Sequence, residues 1–357
     1  MLAPYAERAR SHPGGLVDLS VGTPVDPVPG IVQQALADAA NAPGYPTTIG
    51  TTEVRQACSA WLSRRLGVTC PSAAIIPSIG SKELVAWLPT LLGLGPADHV
   101  VLPRIAYPTY AVGAILAGCR FTATDEPEQV DDASLIWINS PANPTGRVLS
   151  ADRLAQIVAH ARRTGAVLAS DECYAELGWH AEPVSVLHPD ACGGTHDGLL
   201  ALHSLSKRSN LAGYRFGFVA GDPGLIEGIL AVRKHAGMMT PSPIQAAAAV
   251  AWGDDAHVDQ QRERYRARRE VLSAALAAGG FRIDHSEAGL YLWASRDEPC
   301  WESVSWFADL GILVTPGDFY GAAGAQHVRV ALTALDAQVA AVSDRLDAAG
   351  TLPPRRI

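Results

Sequence analysis

Ser204-Leu205-Ser206-Lys207-Arg208-Ser209-Asn210-Leu211-Ala212-Gly213-Tyr214-Arg215-Phe216-Gly217 sets one lysine among hydroxyls and arginines, and apolar runs flank it at 199–203 and 216–220. A lysine beside cations sheds its proton more readily and becomes a nucleophilic amine. A solvated surface loop has the same composition, so the reading rests on the segments around it. Short runs of branched and aromatic residues bounded by turn formers read as strands. Such runs occur at 74–76, 99–102, 121–124, 134–138, 167–170, 199–203 and 216–220, with helical periodicity between them at 82–92, 110–117 and 152–163. The alternation predicts an α/β layer in which helices cover a sheet and several connections cross over between parallel strands.

Toward the N-terminus, Gly22-Thr23-Pro24 and Pro27-Val28-Pro29-Gly30 interrupt regular structure before helical patterns at 31–40 and 53–66. Beyond Pro243 the pattern changes. Helices are predicted at 244–251, 257–278, 301–310 and 336–348, and short strands at 281–284, 290–294, 312–315 and 328–331, which reads as a smaller α+β lobe. The expected division is an N-terminal arm with part of the small domain over 1–30, a large domain over 31–240 and a small C-terminal domain over 241–357. With no flexible linker between the lobes, a cleft is expected where they meet.

The chain has 357 residues, 48% hydrophobic and 18% charged, which excludes a disordered or disulfide-stapled class. A formal net charge of -8 disfavours nucleic acid or an anionic membrane as partner. The first residues lack the apolar core of an export signal, and 236–253, the longest uncharged stretch, is broken by Pro241 and Pro243, so no membrane span is expected. Cys58, Cys70, Cys119, Cys173, Cys192 and Cys300 show no Cys-x-x-Cys pair, which suits free thiols in a reducing cytoplasm. No metal is expected, because the histidines and cysteines fit no ligand spacing. The basic run Arg262, Arg264, Arg266, Arg268 and Arg269 is interleaved with Glu263 and Glu270 and reads as a solvated helix face.

Two further segments stand at strand ends, where open α/β sheets bind ligands: Asn139-Ser140-Pro141-Ala142-Asn143-Pro144-Thr145-Gly146, and Ser170-Asp171-Glu172-Cys173-Tyr174. Asn143, Asp171, Tyr174 and Lys207 can therefore converge on one crevice. Taken together and in this order, the segments resemble the pyridoxal-phosphate-dependent aminotransferases of fold type I, class I/II, over essentially the whole chain. That resemblance implies a large domain with a mostly parallel seven-stranded sheet between helices, plus a smaller α+β domain. It also implies that Lys207 holds pyridoxal 5'-phosphate covalently and moves the substrate proton, that Asp171 keeps the pyridine nitrogen protonated, and that Asn143 and Tyr174 bind the phenolate oxygen. Ser81 and Lys82, following Gly80, match the phosphate loop, with Ser204 and Arg215 as further phosphate contacts. Tyr107 resembles the aromatic residue over the cofactor ring. Tyr45 resembles the tyrosine that reaches a neighbouring subunit's cofactor, which implies a homodimer.

Within His327-Val328-Arg329-Val330-Ala331-Leu332 an arginine sits between apolar residues. A buried arginine needs an anion, which a nearby Asp or Glu could supply in a structural ion pair; the resemblance makes Arg329 the clamp for a substrate α-carboxylate, helped by backbone near Gly22. Within the family the chain looks most like bacterial succinyldiaminopimelate transaminases. This implies lysine and diaminopimelate biosynthesis, with L-glutamate as donor and N-succinyl-2-amino-6-oxopimelate as acceptor. Lys234 and His235 are candidates for the distal anion, though cations at a helix end also simply complement its dipole. The rivals are another aminotransferase of the class, a β-lyase sharing every cofactor residue, and a ligand-sensing module of a transcription regulator, which would need a DNA-binding domain for which the chain has no room.

Overall fold

The computed structural model describes residues 1–350; residues 351–357 of the expected small domain lie outside the described residues. Thirteen strands run in chain order as β1 (Val17–Asp18), β2 (Ile75–Ser78), β3 (His99–Leu102), β4 (Arg120–Ala123), β5 (Leu135–Asn139), β6 (Val167–Asp171), β7 (Leu199–Ser204), β8 (Gly217–Gly221), β9 (Arg282–Asp284), β10 (Tyr291–Ser295), β11 (Ile312–Leu313), β12 (Thr315–Pro316) and β13 (Val328–Ala331). Seven of them form the large sheet in the order β2-β8-β7-β6-β5-β3-β4. Only β8 runs against its neighbours β2 and β7, so the sheet is mostly parallel, as expected.

Both faces of this sheet are buried except at the edge strand β4, whose residues are exposed, which is why the other strands read as nearly continuous apolar runs. Successive residues divide between two cores: Ile136 and Ile138 join one, Leu135 and Trp137 the other. The covering helices carry ordinary stop and start signals. Ala151–Thr164 begins at Ser150, whose hydroxyl accepts from Arg153 N, and ends at Gly165 in the left-handed conformation.

The small lobe is a four-stranded antiparallel sheet, β12-β13-β10-β9, on its own core. The arm joins it through β1, which pairs in parallel with β11. The strand expected at 312–315 is split: β11 serves β1, whereas β12 turns into the four-stranded sheet.

The boundary at 240/241 needs correcting. Ser242–Gly253 packs on the helices Gly30–Asp38 and Thr52–Leu66 and gives Ala247, Ala248, Ala251 and Trp252 to the large-lobe core. Pro243 does not separate lobes; it occupies the first turn of this helix, where a missing N–H costs nothing. The solvated face expected for the basic run also needs revision, because Arg268 is buried against Asp26. Helix Ala3–Arg10 lies outside the sequence expectations, and Pro223–His235 has no range there, although Lys234 and His235 are read beside a helix end. No helix among the described residues is long and apolar enough to cross a membrane.

Candidate active site

The parallel strands β5, β6 and β7 end side by side, and their last residues are Asn139, Asp171 and Ser204. Lys207 follows in the one-turn helix Leu205–Arg208. Its Nζ donates to the carbonyl of Gly22 in the arm. Gly22 has no room for a side chain, since a Cβ there would meet the Tyr291 hydroxyl. The amine is thus held between the large sheet and the small lobe.

Asp171 is buried and accepts from the Tyr110 hydroxyl at 3.0 Å and from Cys173 N at 3.3 Å. Burial outweighs these donors and pushes its carboxyl above the ordinary value. Asn139 acts as a strut: its Nδ2 donates to the carbonyls of Pro141 and Asp171, and its Oδ1 accepts from Asn143 N at 2.7 Å. This turns Asn143 toward β13, where Arg329 Nη1 donates to Asn143 Oδ1 at 3.0 Å.

Arg329 Nη2 donates to the Ser20 carbonyl at 2.6 Å, while Nε has no partner among the described residues. The guanidinium lies 4.1 Å from the Tyr291 ring centre and 5.1 Å from that of Tyr320. No carboxylate pairs with it among the described residues, although it is 7% exposed. The Tyr174 and Tyr291 hydroxyls stand 3.1 Å apart. Burial pushes Tyr174 up. For Tyr291 burial acts the same way, but Arg329 and then Lys207 outweigh it and bring it below the ordinary value.

A second cluster lies at the ends of β2 and β8. Gly80, at φ 72°, precedes the helix Ser81–Leu91 and leaves its first N–H groups without a side-chain cap. Arg215 packs where a Cβ on Gly80 would stand and donates to the Ile79 carbonyl at 3.2 Å. A Cβ on Gly217 would come within 3.1 Å of Ser81 N and 3.0 Å of the Ser78 hydroxyl, so these strands and the helix start meet closely. Ser204 Oγ accepts from Ser206 N at 3.1 Å. Lys82 Nζ lies 5.7 Å from the centre of the half-buried Tyr107 ring, which meets Tyr110 edge-on.

Most of the expected residues therefore come together: Gly22, Asn143, Asp171, Tyr174, Lys207 and Arg329 in one group, Ser81, Lys82, Ser204 and Arg215 in the adjoining one. Tyr45 does not, standing 96% exposed. Lys234 and His235 do not either; both are exposed at the end of Pro223–His235 and make no ion pair among the described residues. Tyr110, Tyr291 and Ser78 escaped sequence reading. Tyr110 was legible only as an aromatic residue three after Tyr107, and Tyr291 only as an apolar strand position.

A family profile described as aminotransferase class I and II matches residues 15–346. The chain is 57% identical over 348 residues to a 4-dedimethylamino-4-oxo-anhydrotetracycline transaminase of Streptomyces rimosus, covering 97% of both chains. It is 60% identical to a probable aminotransferase of Mycobacterium tuberculosis, covering 97% of this chain and 83% of that one. The solved N-succinyldiaminopimelate aminotransferase of Mycobacterium tuberculosis superposes with a TM-score of 0.87 at 26% identity, covering 97% and 95% of the two chains. With its seven-stranded sheet and its paired clusters at the strand ends, the chain belongs to the class I and II aminotransferases, enzymes that work with pyridoxal 5'-phosphate.

Proposed function

We propose that this aminotransferase moves the amino group of L-glutamate to N-succinyl-2-amino-6-oxopimelate, giving N-succinyl-LL-2,6-diaminopimelate and 2-oxoglutarate. The observation that carries the α-amino-acid chemistry is Arg329, a buried guanidinium with a free Nε, two neutral oxygen partners and no carboxylate among the described residues. Such a charge suits a substrate α-carboxylate. The cofactor's requirements also suit the chain. Gly80 leaves a cradle of uncapped helix N–H groups beside Arg215 for a phosphate, and the Ser78 hydroxyl there is buried without a partner among the described residues.

Bound pyridoxal 5'-phosphate supplies an aldehyde that takes up the amino nitrogen and a ring that draws off the electrons left at Cα. Lys207 would hold it covalently. Ser81, Lys82, Ser204 and Arg215 would hold its phosphate, and Tyr107 would cover its ring. Asp171, oriented by Tyr110, would keep the ring nitrogen protonated. Asn143 and Tyr174 would donate to the phenolate oxygen. Arg329, with the Gly22 backbone nearby, would fix the substrate so that its Cα–H faces Lys207. The Lys207 amine would then take the Cα proton and return it to the carbon on the other side of the transferred nitrogen.

Tyr45, projecting from its own chain, supports a homodimer in which each copy reaches the other's cofactor. Six free cysteines suit a reducing cytoplasm. The succinylated acceptor is supported by the likeness to the solved N-succinyldiaminopimelate aminotransferase. A second acceptor, a large ring ketone, is favoured by the relative of 57% identity whose name specifies a 4-oxo-anhydrotetracycline.

Purified enzyme given L-glutamate and each acceptor in turn should release 2-oxoglutarate fastest with the succinylated oxo acid. Faster release with the ring ketone would replace that acceptor, and pyruvate from cysteine-type substrates without any acceptor would replace transamination by elimination. Lys207→Ala should lose turnover and the borohydride-reducible cofactor adduct together; an adduct persisting on another lysine refutes the role of Lys207.

A further inference from the structure

The helix Ser81–Leu91 has glycine where a capping side chain would stand. The acid in its first turn supplies the missing contact from the other direction: Glu83 Oε2 accepts from Ile79 N at 3.1 Å. A carboxylate here favours the helix dipole but opposes any anion bound at the same helix start. Arg233, from the neighbouring helix Pro223–His235, meets this charge with a two-pronged contact. Its Nη1 donates to Glu83 Oε1 at 2.7 Å and its Nη2 to Oε2 at 3.1 Å, and its side chain is 0% exposed. A second bond from Nη2, to the Met238 carbonyl at 3.4 Å, ties the fork to the segment after its helix. The Ile79 carbonyl meanwhile accepts from Arg215. The backbone of Ile79 is thus gripped at its N–H by Glu83, itself held by Arg233, and at its carbonyl by Arg215.

We infer that Arg233 and Glu83 are positioning residues for the phosphate end of the cofactor, acting through the Ile79 backbone on Arg215 and on the N–H groups at Ser81 and Lys82. The inference rests on reading Gly80-Ser81-Lys82 and Arg215 as the phosphate seat. Two effects combine. The fork neutralises Glu83, so the seat keeps its positive character, and its planar geometry fixes the direction of the carboxylate and hence of the loop. Because Arg233 is buried, water screens neither effect.

Titrating the full-length apoenzyme with pyridoxal 5'-phosphate and with pyridoxal, which lacks only the phosphate, separates a seat-specific role from general support of the fold. Arg233→Met should weaken pyridoxal 5'-phosphate binding by about tenfold or more while changing pyridoxal binding by less than about twofold. Arg233→Lys, which keeps the charge but loses the planar fork, should lower the same preference and serves if Arg233→Met does not fold. Equal losses for both ligands, or an unchanged preference in folded Arg233→Lys, would overturn the inference. Ser81→Ala separates the two levels: if it lowers the preference and the Arg233 variants do not, only the brace is wrong. If Ser81→Ala leaves the preference unchanged, the seat lies elsewhere, and the brace falls with it.

Discussion

Arg329 in the cleft and Arg268 on the helix Ala256–Ala278 are buried to similar degrees, 7% and 3% exposed, in opposite surroundings. Arg268 forms a two-pronged pair with Asp26 of the arm and a further contact to Asp336. Arg329 has a carbonyl, an amide oxygen and two aromatic rings. A compensated buried charge fastens the arm to the small lobe. An uncompensated one is tolerable where an anionic ligand completes it. The same contrast separates two carboxylates. Asp26 is held below the ordinary carboxylate value because hydrogen bonds from Arg268 and Gln261 outweigh its burial. Glu172, buried next to Asp171 with Val186 N as its hydrogen-bond donor, is pushed up to about 7 by that burial.

Removing either arginine probes this contrast most strongly. Arg329→Ala should lower kcat/KM for all α-amino acid substrates by on the order of 10²- to 10³-fold while leaving the apoenzyme's Tm unchanged or higher. An unchanged kcat/KM would place Arg329 with the structural arginines. Arg268→Ala should instead cost about 3–5 kcal/mol of stability, since it strands Asp26, with KM for glutamate largely retained in the folded fraction. A large rise in KM at full stability would break the comparison from the other side.

The carboxylates extend it to pH. Glu172 is neutral in folded and unfolded chains below about pH 4.5. Between there and about pH 7 the unfolded chain releases the proton and the folded one keeps it, so this group's contribution to apoenzyme stability falls as pH rises. Glu172→Gln should flatten that slope in denaturant titrations across the window. Asp26 has the opposite sign: its contribution is complete above the ordinary carboxylate range and is lost as pH falls through its lowered folded value. The smallest effect is expected at Tyr291→Phe, which keeps the ring under Arg329 and removes the hydroxyl facing Tyr174. Losing one buried hydrogen bond of about 0.5–1.5 kcal/mol should cost at most roughly tenfold in kcat. No change would show that Tyr291 contributes only its ring.

The large sheet was legible because both its faces are covered away from the exposed edge strand β4, so most of its strands are apolar runs ending at a polar turn. Asn139, Asp171 and Ser204 could be placed at strand ends for that reason. The lobe boundary was misread because Pro241 and Pro243 break a helical pattern equally well between domains and at the start of a helix. Ser242–Gly253 belongs to the large lobe only through its small-residue face, whose partner helices lie some 200 positions earlier in the chain.

Lys207, Asp171, Asn143, Arg215 and Arg329 could be singled out in the chain because each stands in a short local pattern that resembles a signature of the family. Local patterns carry no information about which charges meet across the fold. Arg268 and Arg329 are the same residue type in helical and strand contexts, and only long-range packing gives the first Asp26 and leaves the second with Asn143 and Ser20. Arg233 likewise stands in the sequence directly before the exposed Lys234 and His235, with nothing local to set it apart. Rotation about the helix axis turns it inward onto Glu83 and leaves its two neighbours in solvent.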